Sequence, residues 1–600
     1  MNDDSHQTGD VRGVLASAAL LVLAVGAGAQ EATERASLNW LAFEASGDSD
    51  QVSLSADGRY VAFRSLAADL VPDDTNGVAD VFVRDRWTGA VERISVSTLG
   101  LQAADESGEP HISADGRYVA FTSEANNLVT DVPPGTSKDV FLRDRLLRTT
   151  RIVTVASTGL ASNGDCHKPR VSNDGRYVSF EGSATNLIPG VVGTNYQVFR
   201  RDMQGSTALV SVNLAGTPGV GFSWNGAISG DGRYVAFVSS VSNLVTGDTN
   251  GQTDCFWRDL QTGLTRRVSV SSAGQQGTGA TFTGSSMSRN GRWVAFASSS
   301  PNLAPGEFAA GYDIFLHDTQ TSETHRITFS STGVPANQNS YDPAVSDDGR
   351  YVAFQSFSTN LDPLDTDLDS DVFLRDRQLG TTRLMSRSAT TSADRDAFNA
   401  AISGLGNAVA FHSGSTNLVP ADTNAKADVF VRTLDADHPA FCAGVASVCP
   451  CANGGVGAAG CENSRTTGGA LLRGFGSARL AADQVTLLAI GLPSGSSALF
   501  FQGTARENGG AGVAFGDGLR CAGGAVIRLA TYGVVAGTAA IGFGGTAGLG
   551  GGTTTPIHQL GNIPPTGGTR TYQVWYRNSA VFCTAATYNL SNGVEITWLP

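Results

Sequence analysis

Ser55-Ala56-Asp57-Gly58-Arg59-Tyr60-Val61-Ala62-Phe63 is the stretch that decides the fold, because the chain repeats it. The phrase returns from Ser113, Ser172, Ser229, Ser288 and Ser346, and in degraded form from Ser403, at spacings of 58, 59, 57, 59, 58 and 57 residues. A second phrase follows each copy: Asp80-Val81-Phe82-Val83-Arg84-Asp85 first, then from Asp139, Gln197, Asp254, Asp313, Asp371 and Asp428. Each unit holds four strand signals. A short strand ends at the first Ser. Asp-Gly supplies a tight turn, since Gly tolerates positive φ and Asp bonds its own backbone. Tyr-Val-Ala-Phe is apolar on both faces, as a strand between neighbouring sheets must be. Val-Phe-Val is the third strand. Arg86-Trp87-Thr88-Gly89 then turns into a fourth, Arg93 to Ser97. Four strands per unit, seven times over, predicts an all-β, seven-bladed β-propeller.

The seventh unit has a third strand, Asp428 to Arg432, but no recognisable fourth. Its match stands before the first unit, where Glu34-Arg35-Ala36-Ser37-Leu38 parallels Glu92-Arg93-Ile94-Ser95-Val96. The strand at 34–39 is therefore expected to complete the last blade and to hide an edge open to aggregation. The expected organisation is a signal peptide at 1–29, a propeller at 30–434, a linker at 435–440 and a second domain at 441–600.

The repeat resembles the TolB-like, WD-repeat-like propeller unit of bacterial envelope proteins, over residues 34 to 434. TolB itself has six blades and a preceding α/β domain, neither of which is seen here. The resemblance therefore implies the fold, an envelope setting and a binding habit, and not the role of TolB.

Composition agrees with a turn-rich all-β protein: 73 glycines, 41% apolar and only 16% charged residues. A net charge of −14 repels phosphate backbones and makes nucleic acid an unsuitable partner. Val14 to Ala29 is a small-residue and Leu-rich run ending in Ala27-Gly28-Ala29, which reads as an export signal cleaved before Gln30. The acidic Asp3, Asp4 and Asp10 before it depart from the usual basic start. No other stretch approaches a membrane span, and a secreted or periplasmic monomer is expected.

After Asp435-Ala436-Asp437-His438-Pro439 the repeat stops and composition turns Gly- and Ala-rich. Six of the eight cysteines fall here: Cys442, Cys449, Cys451, Cys461, Cys521 and Cys583. In an exported chain they read as disulfides rather than a zinc site. Their pairing stays open among 15 possibilities, though Cys449 and Cys451 sit too close to pair together. Strand-like runs at Leu499–Phe501, Tyr572–Tyr576 and Val594–Trp598 predict a small disulfide-bonded β-sandwich. The runs around Cys449-Pro450-Cys451, Phe515 to Cys521 and Asn589 to Gly593 resemble a C-terminal module of large secreted bacterial proteins.

Strand order puts two kinds of loop on the variable face of the propeller. Five positions before the phrase Ser stand Asp50, Gly108, His167, Trp224, Thr283, Tyr341 and Phe398, with Phe282 adjacent. These should lie near the channel mouth, where exposed aromatics give contact area at little entropic cost. His167, Trp224, Phe282, Tyr341 and Phe398 are accordingly the candidate ligand-binding residues. The other loop carries Asp-x-Asn/Asp-x-x-x-Asp four times: Asp74/Asn76/Asp80, Asp248/Asn250/Asp254, Asp365/Asp367/Asp371 and Asp422/Asn424/Asp428. The spacing offers three oxygens to a hard cation such as Ca²⁺, but the EF-hand glycine is misplaced and its bidentate Glu absent. An Asx turn is the simpler reading, with calcium as the one cofactor the spacing allows. Cys255 replaces the Val or Ile of other third strands and is expected to be a buried free thiol.

There is no Gly-x-Ser-x-Gly, His-Glu-x-x-His, P-loop or dinucleotide fingerprint, so no catalytic residues are assigned. The expected function is that of a non-catalytic exported binding or scaffold protein, recognising a protein or glycan of the envelope or extracellular matrix at the channel mouth. The alternatives are a propeller hydrolase or lyase acting on an envelope or extracellular polymer, and a structural or display protein.

Overall fold

The structure, a computed structural model, describes residues 32–434 and 440–598. Excepted are 87, 131–136, 157, 190–194, 283, 307–310, 389–390 and 421 in the first stretch, and 443–448, 451–458, 462, 464–468, 476–477, 481, 484, 535–537, 543–555 and 579–586 in the second. The expected signal segment and its Ala27-Gly28-Ala29 site lie outside these residues. The molecule is all-β. The repeat region forms seven four-stranded antiparallel sheets, arranged as propeller blades are. In the first, Ser49–Leu54, Tyr60–Ser65, Asp80–Asp85 and Val91–Arg93 follow one another across the sheet, with Phe63 opposite Phe82. In the last, Ala397–Ile402, Ala408–Ser413 and Asp428–Thr433 are joined at the outer edge by Ala32–Arg35. That N-terminal strand pairs Ala32 with Thr433 and Arg35 with Phe430. The first strand of each sheet touches the first strand of the next, and Ala397–Ile402 touches Ser49–Leu54, so the succession closes on itself.

The repeated phrase is a hydrogen-bonded device. Ser55 Oγ donates to Asp57 Oδ1 at 2.6 Å and accepts the Tyr60 N–H at 2.9 Å, and Asp57 Oδ1 also accepts the Arg59 N–H at 2.9 Å. Arg59 then grips Asp85 on the third strand through two bonds, at 2.9 and 2.5 Å. Such a fork is the strong geometry for an Arg–carboxylate pair. The same Arg–Asp fork recurs at Arg117–Asp144, Arg176–Asp202, Arg233–Asp259, Arg292–Asp318 and Arg350–Asp376. The turn glycine also joins neighbouring sheets. Gly116 has φ +73, and a Cβ there would lie 2.1 Å from the Tyr60 ring. Gly175, Gly232, Gly291, Gly349 and Gly406 lie equally close under Tyr118, Tyr177, Tyr234, Trp293 and Tyr351. Arg59 and Arg145 lie 4.7 and 4.6 Å from the centre of the Tyr60 ring.

The seventh copy departs from the phrase for a visible reason. Ala408 replaces the aromatic residue, and Gly58 packs on its Cβ. Leu405 replaces the turn Asp and packs with Leu488, Ile490 and Ala540 of the C-terminal region. A leucine here is a docking point between the two parts of the chain, where an Asp would be buried against apolar surface.

In the C-terminal region a sheet containing Ser497–Gly503, Ile527–Gly533, Gly568–Arg577 and Gly593–Trp598 shares one core with a three-stranded sheet. The latter is built from Leu471–Phe475, Thr486–Ile490 and Thr538–Gly542. Leu472, Leu487, Phe500, Val574 and Ile596 are fully buried between them. Two disulfides form, Cys442–Cys521 and Cys449–Cys461, while Cys451 and Cys583 lie outside the described residues. Cys166 and Cys255 are buried free thiols. Among the described residues no helix is long and apolar enough to cross a membrane.

Candidate functional site

Six of the seven innermost strands are bent at the same place. The pairing register shifts between Asp50 and Ser53, Gly108 and His111, His167 and Arg170, Trp224 and Ala227, Tyr341 and Ala344, and Phe398 and Ala401. Within each shift one residue takes a left-handed backbone: Gln51 (φ +53), Glu109 (+52), Lys168 (+48), Asn225 (+55), Asp342 (+46) and Asn399 (+54), with Gly284 (+75) in the fifth repeat. Six of these seven are not glycine, so strain is accepted in six of the repeats. A bulge of this kind re-aims a side chain. Here the left-handed position holds a polar residue in six of the seven repeats.

Four of these polar residues are linked from repeat to repeat. Gln51 Oε1 accepts the Glu109 N–H at 2.6 Å, and Glu109 Oε2 accepts the Lys168 N–H at 2.9 Å. Lys168 Nζ donates to Asn225 Oδ1 at 2.8 Å, and the Asn225 carbonyl accepts from Ser285 Oγ at 2.6 Å. Asn225 N–H donates to Glu181 Oε2 at 2.6 Å, and Glu181 lies 3.8 Å from the Lys168 ammonium.

His167 Nδ1 lies 3.6 Å from Glu109 Oε2, and the imidazole packs beside Tyr196 at 5.9 Å between centres. Burial pushes the Glu109 carboxyl up, but His167 and the N–H and charge of Lys168 prevail and hold it below its usual range. Further along the same strand, Arg170 donates to the Pro169 carbonyl at 3.0 Å and, among the described residues, makes no ion pair. Burial lowers its pKa, while Glu109, Glu181 and Asp342 oppose that from a distance. His111 accepts the Val171 N–H on Nδ1 at 3.1 Å. Burial, reinforced by Arg170 and Arg289, holds it well below the ordinary imidazole value, so it is neutral.

The five candidate binding residues separate into different surroundings. His167 belongs to the acid–base cluster. Phe282 and Tyr341 join Tyr312 in one aromatic group, with ring centres 5.1, 5.9 and 5.8 Å apart, and Phe282 is 46% exposed. Trp224 is half-buried and pairs with Val238 across the strands. Phe398 packs on His412 at 5.6 Å. Thr283 lies outside the described residues, Gly108 offers no ring, and Asp50 is paired to Arg64 at 3.2 Å. The polar residues Glu109, Lys168 and Arg170 gain their importance from the bulge. Their sequence signal was position alone, one and three places after the aromatic series.

All four Asp-rich loops contain an Asx turn: Asn76, Asn250, Asp367 and Asn424 each accept the N–H two residues on, at 3.3, 2.9, 3.1 and 2.9 Å. In three of them an arginine from the fourth strand already neutralises the carboxylates. Arg93 lies 3.7 and 3.8 Å from Asp74 and Asp80, Arg267 3.1 and 3.4 Å from Asp248 and Asp254, and Arg35 2.9 and 3.4 Å from Asp422 and Asp428. Asp365, Asp367 and Asp371 differ, since they bring three carboxylates together.

No family model and no curated protein matches the chain. Solved structures do. Oligogalacturonate lyase from Vibrio parahaemolyticus is 11% identical, covering 67% of this chain and 93% of its own, with a TM-score of 0.41. Putative TolB from Agrobacterium tumefaciens is 17% identical over 58% of this chain and 95% of its own, with a TM-score of 0.32. An acylaminoacyl peptidase from Pyrococcus horikoshii is 10% identical over 75% and 59%, with a TM-score of 0.38. At such identities only the fold is in common. The expectation of a non-catalytic binding or scaffold protein is corrected here: the chains it is similar to include a lyase and peptidases beside TolB, so this fold does not set it apart from enzymes.

Proposed function

We propose that the chain is an extracytoplasmic, seven-bladed propeller enzyme, followed by a disulfide-bonded β-sandwich, that cleaves a carboxylated glycan of the envelope or extracellular matrix by β-elimination. The two disulfides support an oxidising compartment. The observation that carries the reading is the His167–Glu109 pair, with Arg170, without an ion-pair partner among the described residues, on the same strand as His167. Proton abstraction next to a carboxylate needs a positioned base and a cation to take up the charge that develops. Glu109 orients the imidazole through Nδ1, leaving Nε2 as the base. Arg170, helped by Lys168, holds the substrate carboxylate. The base removes the proton on the carbon bearing the carboxylate. That electron pair forms a ring double bond, the bond to the neighbouring glycosidic oxygen breaks, and the leaving oxygen takes a proton from water. The Phe282–Tyr312–Tyr341 group offers faces for a further sugar ring.

The test is incubation of the full chain with uronate-containing and neutral polysaccharides, following both near-ultraviolet absorbance of unsaturated ends and release of reducing ends. Uronate-dependent absorbance, lost at least 100-fold in His167→Ala and reduced in Glu109→Gln, is the expected result. Reducing ends without absorbance would replace elimination by hydrolysis. No cleavage of any polymer would refute the proposal.

A further inference from the structure

The seven repeats serve as one another's comparison structures, and the loop of the sixth stands apart. On the fourth strand, the position opposite the central Phe of the third is Arg93, Arg267, Arg326 and Arg35 in repeats one, four, five and seven. Each of these guanidiniums reaches the first Asp of the third strand in its own sheet: Asp80, Asp254, Asp313 or Asp428. In the sixth repeat this position is Leu384, opposite Phe373. The cation is gone, yet the carboxylates have increased, because Asp367 stands where the sibling loops carry Asn76, Asn250 and Asn424.

Asp365, Asp367 and Asp371 each present an oxygen, all within 4.8 Å of one another. Asp371 is 1% exposed. Its Oδ1 accepts from Ser386 Oγ at 2.5 Å, but its buried Oδ2 has no hydrogen-bond partner. A buried carboxylate oxygen without partner or counter-charge is rare and costly. The charged groups that act most on Asp371 are Asp365, Asp367 and Asp369, which only repel it further. Asp365 is itself 7% exposed. Ser392 Oγ donates to Asp367 at 3.1 Å and limits its movement.

We infer that the Asp365–Asp367–Asp371 loop binds one divalent cation, with calcium the best fit, in the place that arginine occupies in four of the sibling repeats, the second and third carrying Ile152 and Leu209 there. Oxygens within 4.8 Å of one another fit one shell with Ca–O distances of about 2.4 Å, and Ca²⁺ accepts an irregular all-oxygen shell where Mg²⁺ demands near-ideal octahedral geometry. Three carboxylates supply the charge, and solvent at the half-buried Asp367 supplies remaining ligands. The Asp74, Asp248 and Asp422 loops bind no calcium, because a guanidinium already fills the position.

Isothermal titration of calcium into the full chain, freed of metal by chelator, tests this directly. One equivalent is expected, with Kd in the range of about 10⁻⁵–10⁻³ M, together with an upward shift in Tm. Leu384→Arg installs the residue that four sibling repeats carry at this position, and calcium binding should fall at least 30-fold. Asp367→Asn, the sibling residue at its own position, should weaken binding at least 10-fold. Asp74→Asn should leave it unchanged. Absence of binding at 10-fold above that range, or binding unaffected by Leu384→Arg, would overturn the inference, as would loss of binding in Asp74→Asn.

Discussion

Arg35→Leu tests how the N-terminal strand holds the last sheet. The side chain is 4% exposed and lies 2.7 Å from Glu44, 2.9 Å from Asp422 and 3.4 Å from Asp428. The two Asp side chains are 1% and 0% exposed. Leucine keeps most of the apolar volume and leaves both carboxylates buried without a counter-charge. Removing one partner of such a cluster costs about 3–5 kcal/mol. The deficit should depend on pH with a definite sign. Burial already raises the Asp428 carboxyl to about 6, against Ser37 and Arg35, which lower it. A carboxyl whose folded pKa is raised contributes most at low pH, and that contribution is lost as pH rises through the folded value. Without Arg35 both folded values rise further, so the variant should be nearly as stable as the parent at pH 5 and weakest at pH 8. Urea unfolding followed by circular dichroism at the two pH values reads this out. A deficit of about 1 kcal/mol or less at pH 5 and about 3–5 kcal/mol at pH 8 is expected. A deficit that does not change with pH would refute the reasoning, as would one below about 1 kcal/mol at pH 8.

Two further effects follow from the repeats. Gly116→Ala should lose about 2–4 kcal/mol, since it adds a clash with the Tyr60 ring to the left-handed backbone penalty; Gly100→Ala, at φ +84 with nothing within 4 Å, should lose only about 1 kcal/mol. Equal losses in urea midpoints would dissociate the glycine from the contact between sheets. His317 stands where the other repeats have Arg84, Arg143, Arg201, Arg258, Arg375 and Arg432, and burial depresses its pKa to about 4. The native state therefore keeps it neutral, and stability present above the unfolded value of 6.5 is lost as pH falls toward 4, by about 3 kcal/mol. His317→Gln should flatten that slope, and parallel curves for variant and parent would rule the residue out as its source.

The strands were legible because the Ser-x-Asp-Gly-Arg-Tyr phrase carries its turn, its ion pair and its core residues in adjacent positions. The linked polar residues were not, because left-handed backbone at Gln51, Glu109 or Lys168 leaves no compositional trace when the residue is not glycine. Reading the aromatic series one place upstream found His167 but missed Glu109, its partner from the neighbouring repeat. The difference between the sixth acidic loop and its siblings was written in the chain as Leu384 against Arg93, Arg267 and Arg35. It becomes visible only when a loop is aligned with a strand some 15–20 residues away, a pairing that strand register supplies. Cysteine pairing needed distances that no spacing provides. The degraded seventh phrase had its cause elsewhere in the chain, in the apolar surface of Leu488 and Ala540 that receives Leu405.

Pairing Arg35 with Phe430 also sets a timetable. At synthesis rates of about 5–20 residues per second, the partner of the N-terminal strand emerges roughly 20–80 s after it. Until then the beginning of the chain has nothing to fold against. Ala32–Arg35 thus has no sheet partner while synthesis continues. The last repeat acts as a clasp that shuts after the whole chain has arrived.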